Sequence, residues 1–246
     1  NLRFNSDTGA RITESRIFRL GSEWQKGNLT ANVELSSSTS ESESPTLSTQ
    51  LNFINPNPLT PLDGSSNDNS VPFIYDLTGD SLTFGVDFDS IYAPTVEQLM
   101  DPNNVVLDQV DISNNSTENS EKAFRLDLSY DLADFNLAGN FITSVDAGFR
   151  TNTNEHSFDR RSDRIGGFSK MVNSPNGSLF SELLVAGPSN FGDFDGRELA
   201  FRNFIIVDPN RAFSDQSGTL AILENAILTH DPSYSGIDLS TQDSAS

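Results

Sequence analysis

The chain has 246 residues, with 35 acidic against 15 basic and a formal net charge of −20. A chain this acidic repels polyanions, which excludes nucleic acid as a partner and disfavours anionic surfaces. The absence of cysteine excludes a disulfide framework and thiolate chemistry, and a hydrophobic share of only 35% points to much loop or solvated surface.

The first patterned segment runs from about Arg16 to Trp24, where Phe18, Leu20 and Trp24 share one parity and Ile17, Arg19, Gly21 and Glu23 the other. Side chains alternate faces along a strand, so this spacing predicts a strand with one apolar face. The Gly-containing "QKGN" predicts a short turn. A return strand follows, with Leu29, Ala31, Val33 and Leu35 on one face and Thr30, Asn32, Glu34 and Ser36 on the other. Residues 37–120 are rich in Ser, Asn, Asp, Thr and Pro without sustained periodicity, and are expected to form a very long polar loop. Within it, "SLTFGVDFDS" predicts a strand and "PTVEQLM" a short helix capped by Thr95.

The clearest alternation is "EKAFRLDLSYDL". Phe124, Leu126, Leu128 and Tyr130 lie on one parity; Arg125, Asp127 and Asp131 lie on the other. "ADFNLAGN" predicts a turn. A fourth strand then places Phe141, Val145, Ala147 and Phe149 opposite Asp146, Gly148 and Arg150. Residues 154–246 are again irregular, apart from a short strand predicted at "RNFIIVD" and about two helical turns at "GTLAILENAIL". The strands are therefore expected near residues 14–36 and 121–153, with long loops over 37–120 and 154–246.

An alternating strand presses its apolar face either on a protein core or on lipid. Three features favour lipid. The alternating runs exceed the usual strand length of about 5–6 residues. Aromatic pairs (Phe18 and Trp24, Phe124 and Tyr130, Phe141 and Phe149) are spaced as roughly 15–20 Å along a membrane normal, near girdle positions. Long connections alternate with short turns, as extracellular loops and periplasmic turns do in outer-membrane barrels. The expected fold is all-β: antiparallel hairpins of a transmembrane β-barrel with very long extracellular loops. The lipid-facing candidates are Phe18, Leu20, Trp24, Phe124, Leu126, Leu128, Tyr130 and Phe149. The lumen-facing candidates are Arg19, Glu23, Glu34, Arg125, Asp127, Asp131, Asp146 and Arg150.

"IFRLGSEWQKGNLTANVELSSSTSE" resembles a barrel hairpin of TonB-dependent outer-membrane receptors, and "NSTENSEKAFRLDLSYDL" with "VDAGFRTNTNEHSFDRR" resembles the adjacent one. The resemblance covers about a third of the chain. "VPFIYDLTGDSLTFGVDFD" resembles the large-loop proteobacterial type, many of which are associated with carbohydrate uptake. It implies a barrel filled by a plug, energised by TonB, ExbB and ExbD, taking up a saccharide or ferric siderophore across the bacterial outer membrane. No plug domain, TonB box, signal peptide or terminal aromatic strand is found, so the chain is expected to be an internal fragment with about four barrel strands.

Other chemistry is sparse. His156 and His230 are expected in solvated loops without metal. "GDFDGRE" offers oxygen ligands for calcium, but without EF-hand spacing, and reads as an acidic turn. Ser178 and Ser181 lack a G-x-S-x-G context. No catalytic residue, metal or cofactor is assigned, and the chain is not expected to be an enzyme. In "FDRRSDR", Arg160, Arg161 and Arg164 are candidate contacts to an anionic ligand, against pairing with Asp159 and Asp163. Phe73, Tyr75, Phe84, Phe88 and Tyr92 are expected to pack their loop on itself rather than stack on sugars. The alternatives are a soluble extracellular β-sandwich binding or adhesion module, calcium-stabilised, and, more remotely, a β-rich polysaccharide hydrolase or lyase.

Overall fold

A computed structural model describes residues 2–60, 70–78, 83–132, 142–166, 168, 173–187 and 204–235. The chain is mostly β with antiparallel sheets. Its strands are β1 (Arg3–Gly9), β2 (Ile12–Lys26), β3 (Leu29–Phe53), β4 (Phe73–Asp76), β5 (Thr83–Val86), β6 (Val105–Asp131), β7 (Ser144–Gly166), β8 (Leu184–Ala186) and β9 (Ile205–Val207). The α-helices among the described residues are α1 (Val96–Leu99), α2 (Pro209–Ser214) and α3 (Gln216–His230). No helix among the described residues is long and apolar enough to cross a membrane.

The main sheet has five strands in the order β1-β3-β6-β7, with β2 also on β3. β3 carries β1 on its Thr46–Asn52 stretch and β2 on its Leu29–Glu43 stretch. β2 and β3 meet in a two-residue loop, Lys26 opposite Leu29. Gly27 there has φ 59°, the left-handed conformation that a tight hairpin turn requires and glycine adopts without strain.

The strands run much further than residues 14–36 and 121–153. β3 has 25 residues, β6 27 and β7 23, so the expected loops 37–120 and 154–246 contain long strand extensions. The reason is physical. Alternation records one-sided burial, whereas "SSSTSESES" lies half-buried or exposed throughout and has no burial to record. The extension is held by its ladder and by hydroxyl pairs such as Thr13 on Ser42 and Ser15 on Ser40, both 3.2 Å.

The chain divides into two compact units. The first comprises residues 1–9, 45–114 and 162–246. Its core gathers Phe4, Leu51, Phe53, Leu99, Val105 and Leu107 with Phe180, Leu183 and one face of α3, Leu220, Leu223 and Ile227. Those α3 positions recur at helical spacing, which is why the helix docks on one side. Asp215 caps it, its carboxylate accepting from Gly218 N at 3.0 Å. α1 forms as predicted, with Thr95 accepting from Gln98 N and the Gln98 side chain accepting from Thr95 N.

The loop aromatics divide differently from the expectation. Phe73 packs against the core, but Tyr75 is 67% exposed and Phe84, Phe88 and Tyr92 are exposed too. From this stretch it is Val86 and Leu99, rather than these rings, that are fully buried in the core. The second unit comprises residues 10–44 and 115–161, the β2, β3, β6 and β7 stretches that carry the alternation.

Candidate functional site

The second unit is built from register. β2 and β3 pair antiparallel, Leu20 opposite Leu35 and Trp24 opposite Ala31. Between β3 and β6, Asp131 N donates to Asn28 O at 2.8 Å, and on the first unit's part of the same two strands Thr46 Oγ1 meets Ser113 Oγ at 2.7 Å. Between β6 and β7, Leu132 N donates to Thr143 O at 2.9 Å, and His156 Nδ1 meets Asn119 Oδ1 at 2.7 Å. Each pair of bonds fixes one antiparallel register along the shared strands.

That register places Leu20, Leu35 and Phe124 in one row, and Trp24, Ala31, Leu128 and Ala147 in another. Phe124 and Phe149 touch diagonally, ring centroids 6.2 Å apart. The candidate apolar residues therefore form one continuous face across four neighbouring strands. It is uncovered among the described residues: Phe18 is 62% exposed, Trp24 52% and Phe149 58%, with Leu20, Leu35, Leu128 and Tyr130 exposed as well. Phe124 and Leu126 are half-buried between their neighbours.

The opposite face carries the polar candidates. Glu23, Glu34, Arg125 and Asp127 come together with Gly21 and Asn32 around an open cavity of about 450 Å³. Glu34 lies opposite Gly21 and, by register, beside Arg125, which lies beside Arg150. The Arg125 guanidinium donates to Asp127, Nε to Oδ2 2.6 Å. A Cβ on Gly148 would stand 2.9 Å from Asp127 Oδ1, so the bare glycine leaves room for the carboxylate to lie flat toward the arginine. Arg19, Asp131 and Asp146 share this face in other rows and do not line the cavity. The grouping offers charged and amide hydrogen-bonding partners, and the described residues contain no His/Cys/Asp/Glu cluster arranged to hold a metal.

No family model matches the chain. No curated protein matches it.

The arginines of "FDRRSDR" do not converge. They lie in β7, which turns Arg160 and Arg161 to opposite faces; Arg161 pairs with Asp159 at 3.3 Å. Arg164 donates to Asp111 at 2.5 Å. The histidines are not in loops: His156 lies within β7 and His230 ends α3, its Nε2 donating to Asn173 O at 2.8 Å. The calcium motif "GDFDGRE", the turn "ADFNLAGN" and Phe141 lie outside the described residues. Sequence reasoning missed Gly21, Asn32 and Gly148 as parts of the site. The signal for the first two is the β2–β3 hairpin register, which sets Gly21 opposite Glu34 and Asn32 opposite Glu23.

Proposed function

We propose that the chain forms part of a β-barrel of the TonB-dependent receptor type in a bacterial outer membrane, and that it serves nutrient uptake rather than catalysis. The observation that carries this reading is the uncovered apolar face of β2, β3, β6 and β7. Water-exposed proteins rarely leave a contiguous apolar patch beyond a few hundred Å². Here it is aromatic-rich and backed by a charged face, the inside-out pattern of a barrel wall. The rival β-sandwich needs a second sheet over Leu126 and Leu128, and none covers them among the described residues.

The outer edges of β2 and β7 support the same reading. Among the described residues β2 pairs only with β3 and β7 only with β6, and long unpaired edges invite further strands. The resemblance of the two hairpins supports the receptor type, and with it a plug and the TonB–ExbB–ExbD system as partners. The polar face around Arg125 would then look into the lumen, and the ligand would be a saccharide or a ferric siderophore.

The chain has no cysteine, so single-cysteine labelling has a clean background. With the intact protein in bacterial outer membranes, spin labels at Leu126→Cys and Leu128→Cys should be relaxed by oxygen dissolved in lipid. Labels at Arg125→Cys and Asp127→Cys should be relaxed by a water-soluble nickel chelate. Equal access of the chelate to all four positions would sink the membrane reading.

A further inference from the structure

The polar face holds a second open cavity, of about 410 Å³, where the strands turn rich in Ser and Asn. Ser15, Ser40, Asn119 and His156 form one row across β2, β3, β6 and β7 by the register already established. Ser15 Oγ donates to Ser40 Oγ at 3.2 Å, and His156 Nδ1 lies 2.7 Å from Asn119 Oδ1. With the Asn119 amide oxygen as partner, Nδ1 donates, and Nε2 is left to face another group. In the next row Ser38, Glu121 and Asn154 line the cavity beside Ile17, which is 70% exposed.

We propose that this cavity is a binding subsite for a neutral saccharide. A hydroxyl offers one donor and two acceptor sites and an amide four, so pairing within the row leaves capacity for a ligand. Such mixed donors and acceptors match sugar hydroxyls, each of which is both. The Glu121 carboxylate accepts from a pair of neighbouring hydroxyls, and Ile17 covers the C–H side of a ring. The lining carries the Glu121 carboxylate on this face and contains no arginine or lysine, which selects against phosphate- or carboxylate-bearing ligands. The proposal deepens the uptake reading by naming the ligand class, and rests on that reading for how the ligand reaches this face.

A thiol-reactive, water-soluble probe tests it. Asn152→Cys stands on the same face, one row from Asn154 and outside the lining. In the intact protein, with two- to six-unit gluco-, xylo- and manno-oligosaccharides as probes, at least one neutral sugar should slow labelling of Asn152→Cys. Asn154→Ala and Glu121→Ala, both at exposed positions, should each weaken that protection by about fivefold or more, the loss of a hydrogen bond. A Leu126→Cys lipid-access control runs in parallel. If no neutral sugar protects while Leu126→Cys reports lipid, the subsite is overturned and the membrane reading stands. If Leu126→Cys reports water yet a neutral sugar protects, the membrane reading falls and the subsite survives. Protection only by uronate or sulfated sugars overturns the subsite.

Discussion

Arg125 and Asp127 stand on one face of the same strand, Nε to Oδ2 2.6 Å, with Gly148 of the neighbouring strand beneath the carboxylate. Both side chains are about half exposed, so water screens the pair and its contribution to stability is at most about 1 kcal/mol. What the pair fixes is the direction of a guanidinium at the cavity edge.

Gly148→Ala is expected to swing the Asp127 carboxylate aside, because the new Cβ meets the end of a flexible side chain and not backbone. Stability should change by less than about 1 kcal/mol. The variant's structure and its urea unfolding midpoint check both parts. A collapse of folding would mean that the glycine serves the strand itself.

The first unit depends on packing in a way the second does not. Leu223 is fully buried on α3, so Leu223→Ala should cost about 2–5 kcal/mol through lost burial and the cavity left behind. Leu228 is exposed on the same helix, and Leu228→Ala should cost less than about 0.5 kcal/mol. Hydrogen exchange of the α3 amides, compared between the two variants, separates these outcomes.

The contrast also explains what the sequence made legible. The hairpin around Gly27, the parity of Phe124 to Tyr130, the Thr95 cap and the strand and helix at Ile205 and Leu223 were all readable, because each rests on a local rule of turn, face or cap. The extensions of β3, β6 and β7 were not. Ser38, Ser40 and Asn119 have water on their free sides, so they satisfy the ladder without any periodic signature. The cavity at Arg125 was half legible. Its charged members were chosen from parity alone, but Gly148 enters through the pairing of β6 with β7, whose register no sequence signal between the two strands gives.

α1 gives a pH prediction. The Glu97 carboxyl is held below its usual pKa, first by a backbone N–H and then by the Thr95 hydroxyl. A depressed folded value means the stabilisation is present above the unfolded value, about 4.3 for glutamate, and is lost as pH falls through the lower folded value. Thr95→Ala should remove the hydroxyl contribution and move the Glu97 titration back up toward the ordinary range. It should also cost about 1 kcal/mol through the lost cap. A carbon-13 NMR titration of the Glu97 carboxyl, wild type against Thr95→Ala, reads the shift directly; an unchanged titration would mean that the hydroxyl does not act on this carboxyl.

Leu126 and Arg125 are neighbours in sequence on opposite faces of β6, and that makes them the sharpest pair of substitutions. By register Leu126 shares its row with Ser22, Val33 and Phe149, near the middle of the apolar stretch between Phe18 and Lys26. If the face meets lipid there, Leu126→Arg carries a charge to the depth where arginine costs about 2–4 kcal/mol, and assembly into the outer membrane should fall steeply. Arg125→Leu places an apolar side chain on the hydrated face and should leave assembly near wild type. In water the order would be reversed: an added arginine on a half-exposed sheet face is tolerated and an added leucine promotes aggregation. The heat-modifiable band that a folded barrel would give on gels, measured for both variants, therefore reads which way Leu126 faces from the sign of the difference alone.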